Sequence, residues 1–285
     1  MLILLIILLL VFIISLVLYF NYTTDYEIIM RDYNLHDDGI TLIYDAFSDE
    51  QINSLLEDCK NNNYIDVQQA IQNNKNLLHK IHNVVGNNYE FQDYVWIIKQ
   101  SSIHTCHRDN NGDFFNHGQQ HPSYTMLIYL EDMPSALGFI PKSHIVENKY
   151  NNSFNLTNPL NHVSCKRGTA IIFNANLIHV GTIDDAVEDH IRVQMKITHH
   201  DDRYYINYYE NFHKVLNTTN TIPKWVRKIQ KNVSCMMPII SDVKTNTNVS
   251  YIKGTHNGYK IGVTEQIFSS LYYGDSKFYD LPNAY

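Results

Sequence analysis

Apolar residues fill the first twenty positions, MLILLIILLLVFIISLVLYF, with no charge and a single polar side chain, Ser15. A helix rises 1.5 Å per residue, so this run would reach about 30 Å, the thickness of a bilayer's hydrocarbon core. Residues 1–20 are therefore expected to form a transmembrane anchor. A cleaved leader is the rival reading, but its apolar core spans only about 7–15 residues and ends at a small-residue cleavage site. The following VLYFNYTTD offers no such site. Residues 21–38 are polar and read as a tether, and Gly39 to Tyr44 as a short strand. Ser48 with Gln51 three positions later forms a capping-box signature, opening a helix whose apolar stripe is Ile52, Leu55 and Leu56. A second helix is expected over Asp66 to Val85, where Val67, Ile71, Leu77, Leu78, Ile81 and Val84 recur near helical spacing.

From Tyr94 the period changes. The run Tyr94 to Asp109 reads as a strand, followed by a polar loop, NNGDFFNHGQQHPS, long enough to act as a lid. Tyr124 to Leu130, Leu137 to Ile140 and Thr169 to His179 read as further strands. Ile191 to Thr198 reads as a final strand, in which Ile191, Val193, Met195 and Ile197 alternate with Arg192, Gln194, Lys196 and Thr198. Short strands separated by dense turn signals predict a mainly β fold with flanking helices, an antiparallel sandwich or jelly roll. In the tail, TIPKWVRKIQK has the spacing of a short amphipathic helix.

The chain has 285 residues, enough for one catalytic domain behind an anchor. The division is residues 1–20 anchor, 21–38 tether, 39–200 domain and 201–285 a C-terminal extension packed on that domain. A net charge of −7 leaves no basic footprint for nucleic acid. Arg31 is the only cation close to the anchor, beside Asp25, Glu27 and Asp32. By the positive-inside rule the body is expected on the non-cytosolic side, in a lumen or at a virion surface. The four cysteines, Cys59, Cys106, Cys165 and Cys235, have no C-x-x-C spacing, which argues against a structural zinc site. Disulfides are open to a lumenal body, with the pairing not legible, and Cys106 reads as a packing residue.

The chemistry gathers at the end of the first long β run, in His107-Arg-Asp109. Residues i and i+2 of a strand face the same side, so an imidazole and a carboxylate can approach one point. The run TAIIFNANLIH ends in His179 and supplies a second histidine. Two histidines and one carboxylate on one face of an octahedral metal leave three positions open, the arrangement of non-haem Fe(II) oxygenases. Other His-x-Asp pairs begin at His36, His199 and His200, but the first lies in a polar turn and the others come too late in the chain. His144 reads as structural within a tight turn, His104, His117 and His121 as flanking groups, and Lys196 as lying on a solvated strand face.

The order of these residues resembles the Fe(II)/2-oxoglutarate dioxygenases, and among them the phytanoyl-CoA dioxygenase-like group. The resemblance spans roughly residues 94–199. It rests on H-R-D at His107 to Asp109, on GFIPKSH at Gly138 to His144, and on His179 followed by Arg192. The earlier FSDEQINSLLE resembles the helix that opens the family's domain. Lys142 departs from the family's usual glycine, and the step from His179 to Arg192 is slightly long. The resemblance implies a double-stranded β-helix (jelly roll, cupin-like), with Fe(II) held by His107, Asp109 and His179. It further implies Arg192 on the far carboxylate of the cosubstrate 2-oxoglutarate, dioxygen as oxidant, and hydroxylation of a small-molecule or lipid substrate. The alternatives are a lumenal protein hydroxylase of the prolyl or lysyl type and a catalytically inactive jelly-roll binding module.

Overall fold

The structure, a computed structural model, describes residues 2–22, 27–28, 32–100, 105–109, 112, 118–145, 160–181, 190–206, 209–217 and 222–236. Two sheets form the body. The larger has seven strands, in the order β11 (Phe212–Asn217), β4 (Tyr94–Gln100), β10 (Arg192–His199), β5 (Tyr124–Tyr129), β8 (Ala170–Asn174) and β2 (Ile40–Ile43), with β3 (Tyr89–Phe91) also paired to β10. The smaller has four, in the order β1 (Glu27–Ile28), β7 (Asn161–Cys165), β6 (Met133–Phe139) and β9 (His179–Gly181). This sheet-rich body with flanking helices is consistent with the expected jelly roll.

Side-chain alternation sorts the large sheet into two faces. Val95 and Ile97 of β4, Met126 and Ile128 of β5, Ile172 of β8, and Val193, Met195 and Ile197 of β10 join one apolar cluster. That cluster is closed by Ile52 and Leu55 of α3 (Asp49–Asn61), Val67 and Ile71 of α4 (Tyr64–Gln72), and Leu77 and Ile81 of α5 (Lys75–Val85). The opposite faces of the same strands carry Trp96, Leu127, Phe173 and Arg192 towards the interior between the sheets. All eight residues of β10 are buried. Its polar positions therefore face a protein interior, Lys196 included, where a solvated face had been expected for that lysine.

Ser48 caps α3 with the full capping box: its Oγ accepts from Gln51 N–H, and the Gln51 side chain accepts from Ser48 N–H. Such a cap is worth about 1 kcal/mol. The single helix expected over Asp66–Val85 is two, because Asn74 takes a β conformation and caps α5. Its side chain accepts from Leu77 N–H at 3.0 Å and donates to the Ala46 carbonyl at 3.2 Å, so the polar group that ends one helix starts the next. The expected strand Thr169–His179 is likewise two, β8 and β9, divided by a turn in which Asn174 Oδ1 accepts from Asn176 N–H. The strand from Tyr94 stops at Gln100, and residues 101–104 lie outside the described residues.

Residues 21–38 are more than a tether. β1 runs parallel to β7, Tyr33 packs edge-on against Phe139, and α2 (Leu35–Asp38) is capped by Asn34. The extension after residue 200 adds β11 to the large sheet, parallel to β4, and α6 (Lys224–Met236). A disulfide joins Cys106 to Cys235 of α6, correcting the reading of Cys106 as a packing residue. The N-terminal run forms α1 (Leu2–Tyr22), whose side chains are described from Leu5 to Leu16. Among the described residues no helix is long and apolar enough to cross a membrane, so the transmembrane expectation for residues 1–20 gains no support here.

Cys59 and Cys165 are buried free thiols, and burial pushes both up to about 12. A raised thiol stays protonated at pH 8, and the thiol is the unreactive form. A chromogenic disulfide reagent at pH 8 is expected to titrate no thiol in the native protein and two after denaturation. The other two should need a reductant first. More than two thiols in unreduced, denatured protein would refute the Cys106–Cys235 bond.

Candidate metal centre

His107 and His179 meet through their backbones before their side chains do anything. They form an antiparallel bridge, exchanging both N–H···O bonds at 3.0 and 2.9 Å. Directly paired residues send their side chains to the same side, and the two imidazole centroids lie 4.3 Å apart. Asp109 follows at i+2 and donates its N–H to the Ala175 carbonyl at 2.8 Å, anchoring it to the turn that precedes β9. The His-x-Asp pair thus owes its placement to the crossing from β8 to β9 and not to the end of a strand.

The donors converge. Asp109 Oδ1 lies 3.9 Å from His107 Nε2 and 3.8 Å from His179 Nε2. Neighbouring donors on an octahedral metal sit about 3 Å apart at bond lengths of about 2.1 Å, so the observed set needs only a contraction of about 1 Å. His107 Nδ1 pairs with the Thr105 carbonyl at 2.8 Å, and His179 Nδ1 with the Leu177 carbonyl at 2.9 Å. A carbonyl only accepts, so both Nδ1 atoms carry the proton and both Nε2 lone pairs are directed at Asp109. The residues present fit a divalent metal.

Electrostatics keeps the set in its ligating protonation state. Burial, reinforced by His107 and opposed by Asp109, pushes His179 down to about 3, so it is neutral at physiological pH. For Asp109 burial alone would raise the pKa. Lys196, His179 and His107 outweigh it and hold the carboxyl well below the usual carboxylate range. Lys196 is therefore not on a solvated face. Its Nζ donates to Asp109 Oδ2 at 2.5 Å and to Thr125 Oγ1 at 2.9 Å, and Thr125, opposite it on β5, donates to the same Oδ2. Breaking such a buried pair by removing one partner costs about 3–5 kcal/mol.

A cavity of about 70 Å³ opens beside the three donors, and one water needs only about 10–15 Å³. Trp96, Leu127, Phe173 and Arg192 contribute to its wall. Arg192 is buried, with Nη1 donating to the His190 carbonyl at 3.1 Å. The structure thus brings together all four residues expected from sequence. Sequence reasoning missed Thr125 and Arg108. The buried Arg108 guanidinium spans from the Asn176 carbonyl to the Ser143 carbonyl, tying the His107 segment to two turns. Ser143 Oγ in turn accepts from Ile178 N–H, next to His179, while His144 Nε2 pairs with the His36 carbonyl, a structural role as expected. His104 and His117 lie outside the described residues.

A second cluster, His121, His199 and Asp201, also brings its donor atoms within 4.8 Å of one another. Its two rings stack at 3.6 Å and 15°, so their in-plane lone pairs run side by side instead of converging. His121 Nδ1 faces Asp202 at 3.1 Å, and His199 Nδ1 accepts from Asp201 N–H.

No family model matches the chain, and no curated protein does. Solved structures to which the chain shows a similarity include SnoN, a non-haem alpha-ketoglutarate-dependent epimerase from nogalamycin biosynthesis. It is 10% identical, with 58% of this chain and 78% of that one covered at a TM-score of 0.46. HygX from Streptomyces hygroscopicus, with nickel and 2-oxoglutarate bound, is 13% identical over 58% and 85% of the two chains, with a TM-score of 0.42. EctD from S. alaskensis is 13% identical over 67% and 87%, with a TM-score of 0.45.

Replacing His107, Asp109 or His179 by alanine is expected to lower divalent-metal affinity on the order of a hundredfold or more, since two remaining donors cannot hold the facial geometry. Anaerobic metal titration of the purified protein measures this. A variant that binds as tightly as the parent excludes its residue from the centre.

Proposed function

We propose that the chain is a non-haem Fe(II)/2-oxoglutarate-dependent dioxygenase that hydroxylates a small-molecule or lipid substrate. The observation that carries this reading is the convergence of His107 Nε2, His179 Nε2 and Asp109 Oδ1 on one point beside a cavity walled in part by Arg192. His107, Asp109 and His179 would hold the iron. Arg192 would receive the distal carboxylate of 2-oxoglutarate, because its planar fork matches a carboxylate through two parallel hydrogen bonds. When bound, iron, 2-oxoglutarate and dioxygen supply the oxidising chemistry, the cosubstrate leaving as succinate and carbon dioxide. The protein's share is to orient and to exclude water, through the Nδ1 hydrogen bonds that fix both imidazoles and the apolar wall of Trp96, Leu127 and Phe173. An inactive binding module would have no need of both histidine tautomers set for ligation. Oxidative decarboxylation of 2-oxoglutarate by the purified protein with Fe(II) tests the assignment, and no turnover with any candidate substrate would count against it.

The membrane-anchored, non-cytosolic placement belongs to the same proposal. Its support is the uncharged apolar run of residues 1–20 in the sequence, together with the 37% to 60% exposure of the large apolar side chains from Leu5 to Leu16. The Cys106–Cys235 disulfide suits an oxidising compartment. That compartment also suits the second reading, a lumenal protein hydroxylase. The protein is expected to stay in the membrane pellet after alkaline carbonate washing, and its release into the supernatant would refute the anchor.

Arg192 separates the cosubstrate reading from a packing role. Arg192→Ala should remove a charge-assisted pair worth roughly 1.5–3 kcal/mol, which raises half-saturation for 2-oxoglutarate about ten- to a hundredfold. Metal affinity should barely change, and Arg192→Lys should restore only part of the loss. Unchanged half-saturation in Arg192→Ala would refute its role as the carboxylate anchor.

A further inference from the structure

The two oxygens of Asp109 have different surroundings. Oδ1 faces the two imidazole Nε2 atoms, at 3.9 and 3.8 Å. Oδ2 is turned the other way, where Lys196 Nζ donates to it at 2.5 Å and Thr125 Oγ1 donates as well. Lys196 and Thr125 face each other across β10 and β5 and are joined at 2.9 Å, so the clamp on Oδ2 is built into the sheet register. Both are buried, Lys196 at 3% exposure and Thr125 at 0%.

We propose that Lys196 is a positioning residue that holds Asp109 to single-oxygen ligation of the metal. The proposal rests on the metal-site reading above. A carboxylate left to itself beside a divalent cation can swing to offer both oxygens, and in a facial set that would close one of three open positions. A chelating 2-oxo acid needs two of them and dioxygen the third, so the clamp keeps the third available. It also has an electrostatic consequence. A fixed ammonium at the back of the carboxylate repels the incoming dication and shares its charge partner, so Lys196 lowers metal affinity while it improves geometry.

Those two effects give a signature that a purely structural lysine would not. Lys196→Met should bind Mn(II) about tenfold or more tightly than the parent, because the carboxylate is no longer shared. Its thermal midpoint without metal should nevertheless fall, by about 10 °C. Water-proton relaxation of the Mn(II)-loaded proteins counts bound waters, and the expected change is from three in the parent to two in the variant. Lys196→Gln, which removes the charge but keeps a polar group against Thr125, should show the same gain in affinity if the methionine variant does not fold. Equal or weaker Mn(II) binding in the variant that folds, or three waters retained in Lys196→Met, would overturn the proposal. A parent protein that took up no Mn(II) at all would overturn the metal-site reading beneath it.

Discussion

The candidate centre depends on one pair of backbone hydrogen bonds, those exchanged between His107 and His179. Each bond is worth about 1 kcal/mol net, modest against the entropy of ordering the two segments. Their effect is geometric. By pairing residues 72 positions apart in register they place two imidazoles on one side of the bridge, and the i+2 rule brings Asp109 to the same side. Slipping the register by one residue would turn a histidine away and present Cys106 or Arg108 in its place. Arg108 and the Cys106–Cys235 bond lie on either side of His107 in sequence, and both pin the segment to other parts of the body. Register is thus secured by the backbone bonds of His107 and by its sequence neighbours, not by its imidazole.

The division of labour within β10 follows from the same alternation. Its apolar residues close the core beneath α3 to α5, while Arg192, Gln194, Lys196 and Thr198 face inward between the sheets. Four consecutive polar positions on a buried face are costly unless each is partnered. Lys196 is partnered by Asp109 and Thr125, Arg192 by the His190 carbonyl, and Thr198 by Ser123. The candidate site supplies the counter-charge for the lysine on this face, in the Asp109 carboxylate.

Much of this was legible in the sequence, and the failures have a common cause. His107, Asp109 and His179 could be picked out by their spacing and order and Arg192 through the family resemblance, and the capping box at Ser48 because it is local. Chain breaks were less visible. Asn74 and Asn174 each end an apolar run with a side-chain hydrogen bond to nearby backbone, and an asparagine looks the same whether it caps or decorates. Lys196 was misplaced because alternation says which residues share a face but not whether that face is wet. The Cys106–Cys235 pairing spans 129 residues and rests on where α6 docks, which no local pattern encodes. Lys142 has φ of 63°, so its turn holds a side chain in the left-handed region at a cost of about 1–2 kcal/mol.

Two buried cations, Arg192 and Lys196, lie on one strand face, and strand geometry separates the roles proposed for them. Arg192 and Lys196 are four residues apart, so their Cα atoms are separated by about 13 Å along β10. One cation cannot take the other's place without a change of register. Lys196 is held at the carboxylate of the proposed metal ligand, opposite Thr125, whereas Arg192 lies opposite Tyr129 and Ile98 and contributes to the cavity wall. A lysine suits the first position because a compact point charge can sit against one oxygen of Asp109 and leave the other exposed to the imidazoles. An arginine there would match both oxygens with its fork and compete with the metal for them. At the cavity the preference reverses, since a free carboxylate arriving with a ligand has both oxygens to offer. The order of the two cations along β10 is therefore the order that the single-oxygen and two-oxygen carboxylates of the proposed reaction require.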